Sequence, residues 1–185
     1  MATPKTIGPD DIHAAITQIA EAIAARHPDA GQLILLGIAN GGVALTHRLA
    51  ALLHIRHTGT IDISFHRDDI GRHPIPKEYT PTRLPADVNG ATVIIVDDVL
   101  FSGRTVKAAL DELFDHGRPT KVELAVLVDR TGRRLPIAAD YTGIHLTVAG
   151  DEKVVVTMDA HHQDKDHIAI IAQKSSASSR QAKSS

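Results

Sequence analysis

The sequence predicts an α/β layer fold, and three observations carry that prediction. Stretches with helical spacing alternate along the chain with short, wholly apolar runs, the pattern of helices packed on a mostly parallel sheet. Those runs stop abruptly at glycines or at an Asp pair, as buried strands do at a sheet edge. Of 185 residues, 43% are hydrophobic and 23% charged, the balance of one globular domain, while aromatics at 3% leave the core to Ala, Val, Ile and Leu.

Taken in order, Ile12, Ile16, Ile19 and Ile23 recur at spacings of four, three and four, which predicts a helix over Asp10 to His27 with one face on a sheet. Leu33 to Ile38 reads as a strand buried on both faces, followed by a helix over Val43 to Leu53. Ile61, Ile63 and Phe65 alternate with polar residues, so this stretch predicts a strand near an edge or a site. Residues 67–90 show neither period and carry Pro74, Pro76, Pro81 and Pro85. A loop of that length inside a compact domain is expected to be functional, and it is read as a lid. Val93 to Val96 is again a buried strand, and Arg104 to His116 a helix with Val106, Leu110 and Leu113 inward and Gly117 as its stop. Val122–Val128 and Val154–Met158 complete the strands, and residues 130–150 read as irregular with room for one short strand. The Ser, Ala, Lys, Gln and Arg of the last residues predict a disordered tail.

With no cysteine, disulfides, thiolate zinc sites and cysteine nucleophiles are excluded together. A net charge of −2 argues against a protein that mainly coats nucleic acid. No apolar run approaches the roughly 20 residues of a bilayer span, so a cytoplasmic protein without membrane contacts is expected. The 12 histidines are scattered, and the pair His161-His162 lies in a polar segment that reads as a solvated loop rather than a metal site.

The chemistry concentrates in Val93-Ile-Ile-Val-Asp-Asp-Val-Leu-Phe-Ser-Gly-Arg-Thr105. A buried strand delivers two carboxylates to the carboxyl edge of a parallel sheet, where open α/β sheets bind ligands. The turn Ser102-Gly103-Arg104-Thr105 then opens a helix whose free amides, two hydroxyls and small Gly103 suit a phosphate. Carboxylates for hydroxyls beside a phosphate cradle describe a sugar-phosphate site. A nucleoside triphosphatase is excluded because G-x-x-x-x-G-K-[ST] is absent, and Gly37-Ile-Ala-Asn-Gly-Gly42 has the wrong spacing for a dinucleotide fingerprint. The plainer alternative is a capping Asp97 and a surface ion pair at Asp98.

This run resembles the 5-phosphoribosyl-1-pyrophosphate (PRPP) signature of type I phosphoribosyltransferases. The chain more narrowly resembles the PyrR family of pyrimidine operon attenuators with uracil phosphoribosyltransferase activity, through Ile61-Asp-Ile with Arg67-Asp68-Asp69, Asp97-Asp-Val-Leu-Phe-Ser-Gly-Arg-Thr105, Leu124-Ala-Val-Leu-Val-Asp-Arg130 and Leu135-Pro-Ile-Ala-Ala-Asp-Tyr141. The resemblance implies the type I phosphoribosyltransferase fold, an open, mostly parallel sheet with helices on both faces plus a small hood. One domain would span 1–171, with a lid at about 67–90, a hood at about 130–150 joined by N- and C-terminal pieces, and a tail at 172–185.

By the same resemblance, Asp97 and Asp98 hold the ribose hydroxyls, the run Val99, Leu100, Phe101, Ser102, Gly103, Arg104 and Thr105 wraps the 5-phosphate, and Arg67 faces pyrophosphate. Ala39, Asn40, Gly41 and Gly42 stand in the pyrophosphate loop, where PyrR proteins usually show Thr-Arg-Gly. The form here is nearer the Lys-Gly-Gly of hypoxanthine-guanine enzymes without its lysine, which leaves catalytic strength and the preferred base open. Ile137, Asp140 and Tyr141 would face the nucleobase, which the family reads largely through backbone groups, although core packing is by a small margin the better reading of Tyr141. The implied reaction is uracil and PRPP to UMP and diphosphate with Mg2+ carried by the substrate, in a homodimer or homotetramer. The alternatives are a purine (hypoxanthine or guanine) enzyme, or a catalytically weak nucleotide sensor that binds pyrimidine leader mRNA through Thr17 and Arg133, in a cluster with Arg130 and Arg134.

Overall fold

The apolar runs form a five-stranded sheet in the computed structural model, which describes residues 5–64, 81–159 and 163–172. In chain order the elements are β1 (Lys5–Ile7), α1 (Pro9–Arg26), β2 (Ile34–Ile38), α2 (Gly41–Leu53), β3 (His57–Ile61), β4 (Thr92–Leu100), α3 (Arg104–His116), β5 (Lys121–Arg130), β6 (Tyr141–Leu146), β7 (Glu152–Thr157) and β8 (His167–Ala172). The larger sheet has the order β3-β2-β4-β5-β6, every neighbour parallel, and a smaller antiparallel sheet has the order β1-β8-β7. Arg67, Asp68, Asp69, most of the expected lid, His161-His162 and the tail lie outside the described residues.

Strand β2 is buried along its whole length because alternate side chains serve two cores. Leu35, Ile94, Val96, Ala125 and Leu127 face α1 and α2, while Ile34, Leu36, Val93, Ile95 and Val126 face α3. Helix α1 starts with Pro9 and carries Asp10 and Asp11 in its first turn and Arg26 in its last, matching the helix dipole. Its Ile12, Ile16, Ile19 and Ile23 are each at most 1% exposed, and burial of each contributes roughly 1.5–3 kcal/mol.

Some boundaries differ from expectation. The alternation at 61–65 is not a strand in its described part: β3 ends at Ile61, and Asp62 is buried along with Ile61 and Ile63. β3 is nevertheless an edge strand, and on its outer side Thr60 makes an isolated antiparallel bridge with Arg83. Strand β4 does not stop before the Asp pair but runs through it, because β5 continues the ladder from Asp97↔Val126 to Leu100↔Asp129. The segment expected as hood is divided, with β6 forming the edge of the larger sheet. The small sheet instead joins the two ends of the described chain. It is tied to α2 by Arg48, whose buried guanidinium pairs with Asp166 and donates to the Asp159 carbonyl.

Candidate active site

Two glycine contacts build the site. A Cβ on Gly42 would lie 2.0 Å from the Val96 carbonyl oxygen, and one on Gly41 would lie 2.6 Å from Oδ1 of Asp98. Only glycine lets the loop that opens α2 lie against the carboxylates of β4. The same loop is held from behind by the Ala39 amide on the Ile61 carbonyl at 3.0 Å and by the Thr46 hydroxyl on the Gly42 carbonyl at 2.8 Å. The peptide bond between Ala39 and Asn40 is cis.

Asp97 is 5% exposed and Asp98 half-buried, and the Asp98 amide donates to Asp97 Oδ1 at 3.0 Å. Burial, followed by the like charge of Asp98, holds the Asp97 carboxyl well above the ordinary range. Burial also raises Asp98, and Lys153 on β7 is among the groups that draw it back. Among the described residues neither carboxylate has an ion-pair partner. The Asp98 amide on Asp97 fits the capping half of the plainer alternative, whereas the surface ion pair finds no partner, and two raised neighbouring carboxyls gain from hydroxyl donors or a cation.

Past Leu100 the chain turns through Phe101 and Ser102 to Gly103, whose φ of +91° is left-handed and caps α3. The Ser102 hydroxyl accepts from the Arg104 amide at 3.3 Å. The first turn of the 13-residue α3 thus opens beside the carboxylates, with the amide-rich terminus that suits an anion. Across the turn, a Cβ on Gly103 would touch Leu135 at 3.2 Å and Ile137 at 3.4 Å, so Ile137 lies against the phosphate-turn glycine.

Three residues expected at ligand-facing positions have their side chains engaged within the fold. The buried Tyr141 donates its hydroxyl to Glu123 at 2.7 Å, and Asp140 accepts from the Leu124 amide at 3.0 Å and pairs with Arg26. Glu123 is level with Ile94 and Leu124 with Ile95, so the side chains of Asp140 and Tyr141 are engaged at a level of the sheet before the carboxylates. The alternative of Tyr141 as core is the correct one. Arg130, expected on an RNA face, is 5% exposed: its guanidinium donates to the carbonyls of Thr131, Glu152 and Ala149 and lies 4.2 Å over the Phe101 ring. Thr17 sits half-buried on α1 with its hydroxyl on the His13 carbonyl.

Sequence reasoning missed the Glu123 cluster. Lys121, His27, Tyr141 and Arg26 all contact this carboxylate at 2.5 to 3.2 Å. Burial alone would raise Glu123, but these partners overcome it and hold the carboxyl at about 2. Burial and the Glu123 charge push the Tyr141 phenol up.

A parallel sheet with an acidic pair at one strand's carboxyl end, a glycine loop against it and a capped helix beside it define a phosphoribosyltransferase. The family model of the phosphoribosyl transferase domain matches residues 10–164. Among curated relatives, Bifunctional protein PyrR of Roseiflexus sp. (strain RS-1) is 41% identical over 177 residues, covering 92% of this chain and 96% of its own. That of Streptomyces coelicolor is 45% identical over 175 residues, covering 91% and 89%. The chain belongs to the PyrR family of phosphoribosyl transferase domain proteins. Solved structures agree on the fold: a hypoxanthine-guanine phosphoribosyltransferase from Bacillus anthracis has a TM-score of 0.68 at 18% identity, covering 92% of this chain and all of its own. The hypoxanthine phosphoribosyltransferase of Trypanosoma cruzi has 0.65 at 21%, covering 90% and 95%. At such identities the likeness concerns the fold alone.

Proposed function

We propose that the chain transfers the 5-phosphoribosyl group of PRPP to uracil. The bond from the ribose C1 to the diphosphate oxygen breaks, a bond from C1 to a ring nitrogen of uracil forms, the nitrogen's proton is released, and UMP and diphosphate leave. The observation that carries this reading is the strained pair Asp97 and Asp98 packed against Gly41. Ribose hydroxyls would donate to these carboxylates, whose charge then favours the cationic character that C1 gains as diphosphate departs. The amides and hydroxyls of the turn 102–105 would hold the 5-phosphate, and the backbone of residues 39–42 would line the diphosphate. Hard carboxylate oxygens suit Mg2+, but no group of three or more ligating side chains exists among the described residues. Asp97 and Asp98 would therefore hold the ion jointly with substrate oxygens, where it supplies neutralisation of the diphosphate charge.

The test is incubation with PRPP, Mg2+ and each of uracil, hypoxanthine, guanine and xanthine, with Asp98→Asn as control. UMP that vanishes in the control is the expected result. A purine nucleotide in its place would move the assignment to the purine alternative, and no nucleotide with any base would overturn the transferase reading.

The word bifunctional in the relatives' names favours a second reading, UMP-responsive binding of pyrimidine leader mRNA. Arg130 is buried and Arg133 is held by Phe101 and Asp129, so Thr17 and the exposed Arg134 would carry it. Gel-shift affinity should rise with UMP and fall steeply with salt, and a salt-independent affinity would reject the assignment.

A further inference from the structure

The turn that follows the carboxylates and the segment that bears Ile137 are joined at almost every residue. The amides of Arg134 and Leu135 both donate to the Ser102 carbonyl, at 3.1 and 3.0 Å. Arg133 donates through Nη1 to the Phe101 carbonyl at 2.8 Å and through Nη2 to Asp129, near the end of β5. The Phe101 ring lies so close on Gly132 that a Cβ there would come within 2.3 Å of it, and its face carries the Arg130 guanidinium. Gly103 meets Leu135 and Ile137.

Two features set this apart from an ordinary surface ion pair. Arg133 keeps only 26% of its side chain exposed, and one of its two bonds ends on the backbone of the phosphate turn itself, at Phe101. A guanidinium can make both bonds at once because its donors diverge in a plane, whereas an ammonium on the same stem cannot hold both in fixed geometry. Arg130 extends the connection by donating to the carbonyls of Ala149 and Glu152, where β7 begins.

We propose that Arg133, anchored by Asp129, is a positioning residue that couples the phosphate turn 101–103 to the segment 131–137. A sugar phosphate that orders the turn then orders the wall on which Ile137 stands, and the nucleobase binds more tightly once the sugar phosphate is in place. This rests on the transferase reading for the identity of the ligands, but the coupling is a property of the two segments and can be read without turnover. Reciprocity requires that the base tighten sugar-phosphate binding by the same factor.

The experiment compares wild type, Arg133→Ala, Arg133→Lys and Asp129→Asn by two readouts. The first is hydrogen exchange at the Arg134 and Leu135 amides with and without ribose 5-phosphate. Wild type should gain at least tenfold protection at both amides, Arg133→Ala little or none, and Arg133→Lys an intermediate amount. The second is binding and steady-state kinetics, in which Arg133→Ala and Asp129→Asn should raise KM for the base about tenfold while the Kd of PRPP measured without the base and the melting temperature change little. Equal protection in wild type and Arg133→Ala would overturn the coupling even if the enzyme turns over normally. If wild type gains the protection but makes no nucleotide, the transferase reading falls and the coupling stands.

Discussion

Two buried carboxylate sites occupy opposite ends of neighbouring strands and are treated in opposite ways. Asp97 and Glu123 are almost equally enclosed, at 5% and 2% exposure. Glu123, near the start of β5, is met by Lys121, His27, Tyr141 and Arg26, and its carboxyl is driven down to about 2. Asp97, near the end of β4, meets a second carboxylate and a glycine loop, and its carboxyl is driven up. The one site contributes stability and the other costs it, which is the expected trade between a fold's anchors and its binding residues. The comparison can be broken most sharply by mutations that exchange these effects.

The largest effect should come from Asp98→Asn. Removing one charge aimed at the developing cation should lower kcat by about 10²–10³-fold while the melting temperature holds or rises. A fall in melting temperature with kcat intact would place Asp98 among the anchors instead. Activity should also fall on acidification, because protons compete with the substrate's hydroxyls and cation for both raised carboxyls. A pH profile of kcat/KM with no acidic limb would count against that.

Glu123→Gln should do the reverse. A carboxyl at about 2 in the fold against 4.5 in the open chain contributes about 3 kcal/mol above pH 4.5, and this is lost as pH falls through 2. The variant should therefore lose about 3 kcal/mol at neutral pH, roughly 6–12 °C in melting temperature, with kcat nearly unchanged. Its stability should also vary less between pH 5 and 2 than that of wild type. Parallel acid-unfolding curves for the two proteins would show that the depression of Glu123 is not what acid removes.

Asp97→Asn should produce a smaller gain. Relief of burial and of repulsion by Asp98 should raise stability at neutral pH, where the native pair resists ionisation, and lift the melting temperature by a few degrees at most. The sign follows from the raised carboxyl: its cost appears as pH climbs above the open-chain value and is absent in acid. Melting at pH 3 should accordingly show little difference between variant and wild type.

Much of one site was legible from sequence and almost none of the other, for a physical reason. The acidic pair, Gly103 and the first turn of α3 are contiguous, and the isoleucine spacing of α1 and the apolar run of β4 are local patterns, so short windows contain them. Apart from Lys121, Glu123 draws its partners from residues 26, 27 and 141, and Arg130 from carbonyls at 149 and 152, separations that no short window spans. That is why Tyr141 and Asp140 read as base contacts and Arg130 as an exposed cation. Strand β1 has three residues and exists through pairing with β8 near the other end of the described chain, which composition does not announce.

The smallest effect tests whether the Glu123 cluster is cooperative or merely crowded. Arg26 reaches Glu123 at 3.2 Å and Asp140 at 3.1 Å and lies 5.0 Å from the Tyr141 ring, yet 46% of its side chain remains in solvent. Exposed pairs of this kind contribute little because water and salt screen them. Glu123 would still keep Lys121, His27 and Tyr141, so Arg26→Ala should lower the melting temperature only slightly, a deficit that shrinks as salt is added. If the four partners acted as one unit, Arg26→Ala would instead approach the loss of Glu123→Gln. The double variant decides between these outcomes: its stability should match Glu123→Gln alone, because the contribution of Arg26 runs largely through the carboxylate that Gln removes.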